Sequence, residues 1–221
     1  MKKPSKSPPD LCAGAFSAWL AHAQDAIAGR GRADVPCGDC TACCQSSQFI
    51  HIDRDEIRPL SHIPTELLFP VPGGRAGDVL MGYDECGRCP MLTDQRCSIY
   101  PNRPATCMSY DCRVFPAAGI LPTENENPLI AEQAQRWSFE YPSEDDHRKH
   151  LAVKAAAEFL RKHPEAFKGR APINATRLAV LAIRVHSLFV DYVVQDASGK
   201  RVFDERKIIA AIHEVIRQTS P

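Results

Sequence analysis

Residues 37–44 read CGDCTACC: Cys37, Cys40 and Cys43 stand at two-residue gaps, and Cys44 follows directly. A two-residue gap suits chelation, because a tight turn lets both sulfurs converge on one ion, which deprotonates the thiols it binds. Outward from this run come Cys86, Cys89, Cys97, Cys107 and Cys112, so nine of the ten cysteines fall within residues 37–112. Such local density marks a segment held by cross-links or metal. Adjacent and two-apart cysteines make poor disulfide partners for one another, which favours metal over a secreted disulfide scaffold. In extended chain, neighbours such as Cys43 and Cys44 project in different directions, so two metal sites or a polynuclear one are expected rather than a single ion taking both.

The identity of the metal stays open at this level, since tetrahedral sulfur suits zinc and iron-sulfur clusters alike. Cys37, Cys40 and Cys43 reproduce the first part of the bacterial ferredoxin run, and Cys89-Pro90, a remote cysteine followed by proline, is a candidate to complete a four-iron cluster. The alternative is two four-cysteine zinc sites, drawing eight of the nine clustered thiols. Between Cys97 and Cys107, Tyr100 and the Arg103-Pro104 pair are candidates to support the ligands, with the arginine satisfying carbonyls or sulfur charge.

Around the cysteines the chain changes character near residue 143. Fifteen of its eighteen prolines occur by Pro142, whereas residues 143–221 contain no cysteine. Proline-broken chain forms short strands and turns and cannot build a large core. The expected organisation is a tail and helix over 1–31, a cysteine domain over 32–142, and a helical region over 143–221. The fold class is α+β: an irregular metal domain with short strands, flanked by an N-terminal helix and a C-terminal helical bundle. In the N-terminal helix, Phe16, Trp19, Leu20, Ala23 and Ile27 form an apolar stripe, Asp10 is the expected N-cap, and Gly29 and Gly31 are stop signals. Asp53 with Glu56 predicts another capped start. Ser143 with Glu144, Asp145 and Asp146 predicts a helix to about His163, stopped by Pro164, with Leu151, Val153, Ala155, Ala156, Phe159 and Leu160 on its apolar face. A mostly buried helix is expected over Asn174 to Val194. A last one is capped by Asp204, with Ile208, Ile209, Ile212, Val215 and Ile216 as its stripe.

Composition excludes several function classes. Basic and acidic residues both number 27, so no net charge draws the chain to nucleic acid or an anionic membrane. The cysteine segment is itself acidic, with seven arginines, no lysine and ten acids over residues 37–116, which argues against a nucleic-acid module. The apolar stretch Leu178 to Val194 carries Arg184, His186 and Asp191, so no membrane span is expected. Lys2, Lys3 and Lys6 before Leu11–Ala21 imitate a secretory signal, but Pro8, Pro9 and Asp10 interrupt it, and a cytoplasmic chain is expected. Gly73, Gly74 and Gly77 lack the lysine of a phosphate loop and read as a turn. His147 and His150 read as a solvated first helical turn, and His186 and His213 as packing residues.

The order CGDCTACC, CPML at 89–92, CSIYPNRPATC at 97–107 and YDCRVF at 110–115 resembles the YkgJ-type cysteine-cluster family, over about 80 of the 221 residues. The resemblance implies a zinc- or iron-chelating CxxCxxCC domain. It implies Cys37, Cys40, Cys43, Cys44, Cys89, Cys97 and Cys107 as ligands, with Cys112 found in a subset of members. Met108 stands where members often carry arginine, and Arg113 is a candidate for that place. Flagellin lysine-N-methylase also carries such a cluster. A metal-binding protein is therefore the first expectation, and a redox or methyl-transfer-related enzyme using an iron-sulfur cluster the second. A protein partner is expected at the C-terminal helices. Cys12 and Cys86 are left unassigned.

Overall fold

The computed structural model of the chain describes residues 10–33, 35–122, 127–167, 172, 174–191 and 204–219. It is mixed helix and strand, with every strand short. Strand β1 (Leu11–Ala15) leads directly into helix α1 (Phe16–Ile27). This corrects the expected cap: a strand intervenes, and Asp10 instead forms a two-pronged ion pair with Arg136 at 2.8 and 2.9 Å. The pairing holds β1 beside β7 (Trp137–Glu140) in a parallel two-stranded sheet, with Leu11 opposite Trp137. Phe16, Trp19, Leu20 and Ala23 are buried as the stripe predicts, and Gly29 adopts φ +71° just beyond the helix.

The cysteine region is built from small pieces. Strands β2 (Ile50–Ile52), β3 (Leu68–Pro70) and β4 (Val79–Met81) form an antiparallel sheet in the order β2-β4-β3. The three glycines at 73, 74 and 77 lie in the loop joining β3 to β4, in line with a turn. One-turn helix α2 (Ile57–Leu60) follows β2, and Glu56 accepts from the Asp53 N–H at 3.0 Å, completing the backward half of the expected box. Hairpin β5 (Leu92–Thr93) and β6 (Arg96–Cys97) comes next, then helix α3 (Ala105–Ser109). Ile52, Ile63, Met81, Met91 and Ile99 form a small core for this region.

A larger core draws on both ends of the chain. Helices α4 (Val114–Ala118), α5 (Pro128–Gln135), α6 (Glu144–Lys162) and α7 (Ala175–Val185) pack with α1 around Phe16, Trp19, Phe115, Trp137, Val153, Leu160 and Ile183. The Ser143 cap forms fully, with Asp146 accepting from the Ser143 N–H. Asp146 also accepts from the Ser17 N–H at 2.8 Å, tying α6 to the start of α1. Leu151 is exposed, unlike the rest of its predicted face.

His150 corrects the solvated reading. It is buried, stacked on Phe16 and bonded through Nδ1 to the Tyr141 hydroxyl at 2.6 Å, because α6 turns this face onto α1. His147 is exposed. His186 packs as expected, with Nδ1 bonded to the Ile183 carbonyl, and His213 is half-buried against the Ala166 carbonyl. Helix α7 ends at Val185 and passes into a 3-10 turn over His186–Phe189; the remainder of the expected Asn174 to Val194 helix beyond 191 lies outside the described residues. Helix α8 (Glu205–Thr219) buries Ile212 fully.

Candidate metal centre

Seven cysteines, Cys37, Cys40, Cys43, Cys44, Cys89, Cys97 and Cys107, line one cavity of about 580 Å³. Their backbones explain the convergence. Gly38, at φ +55°, turns the chain so that the Cys40 N–H bonds the Cys37 carbonyl at 2.9 Å. Residues Ala42–Gln45 form a 3-10 turn. That turn corrects the extended-chain expectation for Cys43 and Cys44: their sulfurs lie 4.0 Å apart and face the same cavity. The Cys89 N–H donates to the Cys44 carbonyl at 2.7 Å, fastening the second cysteine run to the first. A bond from the Ser47 N–H to the Gly87 carbonyl extends this clasp; a Cβ on Gly87 would come within 2.4 Å of the Ser47 Oγ.

Cys107 is brought in on α3, which is pinned from outside the motif. The Glu56 carboxylate accepts from the Ala105 N–H at 2.6 Å, and Thr106 Oγ1 donates to the His51 carbonyl at 2.6 Å. Cys97 ends the β5–β6 hairpin, whose turn residues Asp94 and Gln95 both have positive φ, as a type I′ hairpin turn requires. Among the described residues no three Cys, His, Asp or Glu side chains are gathered tightly enough to hold one ion as they stand. The thiols ring a space rather than a point. All ten cysteines are free thiols.

Electrostatically the cavity wants a cation. Burial pushes the Cys37 thiol up to about 11 and Cys107 up to about 12, with neighbouring sulfurs adding to both. Cys89 and Cys97 are also raised, chiefly by burial. In the adjacent pair, the contact between the two sulfurs holds Cys43 down at about 7 and Cys44 well above the usual thiol range. Desolvated thiols of this kind keep their protons until a positive ion supplies the missing charge, so metal binding releases protons. The donor set fits zinc or iron in kind, being thiolate throughout the family positions.

The other predicted residues divide. Arg103 and Tyr100 both line the cavity; the guanidinium lies 4.0 Å from the Tyr100 ring centroid, donates to the Tyr100 carbonyl at 2.8 Å and lowers the pKa of several of the thiols. Arg113 lies outside the lining, buried against Asp111 at 2.8 Å and the Ala33 carbonyl at 2.8 Å. Cys112 lies outside the cavity lining, buried in the larger core, with its thiol pushed up to about 12 chiefly by burial and then by Asp111, while Cys37 and Cys40 of the cavity set add to the rise. Asp111 additionally accepts from the Trp19 indole at 2.9 Å, so this buried network joins α1 to the segment after α3. Cys12 and Cys86 are exposed and lie outside the lining; Cys12 contacts Glu140. Sequence reasoning missed Glu56 and Thr106 as anchors of α3, and no local pattern signals contacts that span about fifty residues. It also missed Met81, Met91 and Met108 in the cavity wall, although Met91 and Met108 sit beside Cys89 and Cys107 in sequence.

Residues 36–137 match the family model CxxCxxCC, described as a "putative zinc- or iron-chelating domain". Over this span, a little under half of the chain, the sequence is similar to that domain. No curated protein and no solved structure matches the chain. The matched span takes in all seven cavity thiols, Cys86, Cys112, the three-stranded sheet and helices α2 to α5. The CxxCxxCC match supports metal binding by this region. Among the described residues, no helix is long and apolar enough to cross a membrane.

Proposed function

We propose that the CxxCxxCC domain holds a polynuclear thiolate centre of zinc or iron, with the seven cavity cysteines as its ligands. The carrying observation is the number of thiols around one space: a tetrahedral ion uses four, and seven face this cavity. Drawing them inward around metal couples binding to closure of the small-core region, whose own apolar content is slight. Arg103 would offset part of the thiolate charge from the cavity wall. Cys112 is the eighth candidate, held in reserve by its position in the larger core. A reducing, cytoplasmic setting suits a cysteine cluster held as metal thiolates rather than as disulfides. The C-terminal helices would shield the molecule or dock a protein partner, with Ile208 and Ile209 of α8 only half-buried.

Elemental analysis with acid-labile sulfide, on anaerobically prepared protein, tests the reading. More than one equivalent of zinc or iron per chain is the expected result. Brown material with stoichiometric sulfide assigns an iron-sulfur cluster, the iron count per chain gives its type, and the redox or methyl-transfer alternative opens; colourless material with zinc closes it. Protein that contains no stoichiometric metal, and takes none up on reconstitution, refutes the proposal.

A further inference from the structure

The cavity wall carries more sulfur than the cysteines. Met81, Met91 and Met108 also line it, and they are all the methionines beyond Met1. They arrive independently, from the end of β4, from the loop just after Cys89, and from α3 directly after Cys107. Among the described lining residues there is no histidine, and the carboxylate present, Asp39, faces solvent and pairs with Arg96 at 3.7 Å.

Packing accounts for part of this. Met81 and Met91 are buried members of the small core, where flexible thioethers fill irregular gaps. It does not account for Met108, which is half-buried and belongs to neither core. Met91 and Met108 each flank a cavity thiol, Cys89 two residues before and Cys107 one residue before. The Leu92 N–H bonds the Cys89 carbonyl at 2.9 Å, closing the turn that carries Met91.

A neutral thioether offers little to divalent zinc, which takes thiolate, imidazole and carboxylate, but soft thioether and thiolate donors together select Cu(I). We propose that this cavity also binds Cu(I), with Met91 and Met108 as thioether ligands beside the thiolates. The inference rests on the reading of the cavity as a thiol metal centre and adds the ion class. The ion binds in the oxidation state in which it is supplied: each coordinating thiol releases its proton to solvent, sulfur-copper bonds form, and no electron is transferred.

The test is a pair of anaerobic competition titrations on the full chain, Cu(I) against a chromophoric Cu(I) chelator and Zn²⁺ against a chromophoric zinc chelator. In the M91L/M108L variant, Cu(I) affinity is expected to fall about tenfold or more, the scale of losses when groups supporting a metal site are removed, while zinc affinity stays within about twofold. Met to Leu nearly conserves volume, so the fold should persist. Met108→Leu alone, at the half-buried position, repeats the comparison should the double variant unfold. Selenium-edge X-ray absorption on selenomethionine-labelled, Cu(I)-loaded wild-type protein should show selenium-copper scattering, a readout independent of any variant. Unchanged Cu(I) affinity, parallel loss of both ions, or absent selenium-copper scattering overturns the inference and leaves the zinc or iron centre standing. Failure of wild-type protein to bind either ion overturns the underlying metal-centre reading instead.

Discussion

The larger core and the cysteine region solve the same problem with different materials. Around α1, α4, α6 and α7, aromatic and aliphatic side chains are buried from both ends of the chain, and apolar burial is the main driving force. Around the cavity, the described core reduces to Ile52, Ile63, Met81, Met91 and Ile99 under strands of two or three residues. Fully burying five such side chains contributes only about 1.5–3 kcal/mol each, against an ordering cost of roughly 1–2 kcal/mol for every residue fixed. The difference teaches that, with the proposed metal bound, sulfur would stand in for hydrocarbon where proline has broken the chain too finely to pack.

That contrast is broken most directly by removing metal. A strong chelator should unfold the cavity region while the helical core survives, because structural metal contributes on the order of 10–16 kcal/mol in small thiolate modules. Hydrogen exchange should show lost protection at β2 and β4 and retained protection in α6; equal loss in both would mean that one cooperative unit spans the molecule. A ligand-side version compares Cys107→Ser with Cys112→Ala. Metal content should drop in the first and hold in the second, measured by metal-to-protein ratio.

The helical core should fail differently. Leu160→Ala, at a fully buried position, should cost about 2–5 kcal/mol in denaturant unfolding with the native metal ratio unchanged. Smaller effects come from its titrating groups. His150 is held down at about 4, chiefly by burial and then by Lys154, from an ordinary value of 6.5. Its folded pKa lies below its unfolded one, so its contribution is complete above about 6.5 and is lost as pH falls from there toward 4. At about 1.4 kcal/mol per pKa unit this is of order 3 kcal/mol. A His150→Phe variant should flatten that part of the stability profile. Asp146 is held down at about 2 by the Ser143 and Ser17 bonds, so its stabilisation is present above about 4 and lost as pH falls through 2. Asp146→Asn, which weakens the reciprocal half of the Ser143 box, should lower the thermal unfolding midpoint slightly at neutral pH.

Legibility followed the range of the interaction. The Phe16–Ala23 stripe and the Ser143 box were readable because a helix and its cap are decided within a few residues. Asp10 was misread because the β1–β7 pairing joins segments more than a hundred residues apart, and a local cap signal cannot compete with a distant ladder. His150 was misread because solvation depends on what packs across α6. Cys43 and Cys44 were separated on the assumption of extended chain, whereas a 3-10 turn rotates successive residues by a third of a turn and lets both face one side.

The amino-acid sequence on its own determined that the cysteine segment is a metal-binding module, because a ligand's chemistry and its two-residue spacing are local properties. It also determined the helical stripes and their stops. Only tertiary structure decided which sulfurs share a cavity: Glu56, Thr106 and the Cys44–Cys89 clasp draw seven thiols and three thioethers together from separate turns, while Cys112 packs with the helices. Convergence of that kind depends on contacts across dozens of residues, and no spacing rule within one motif encodes them.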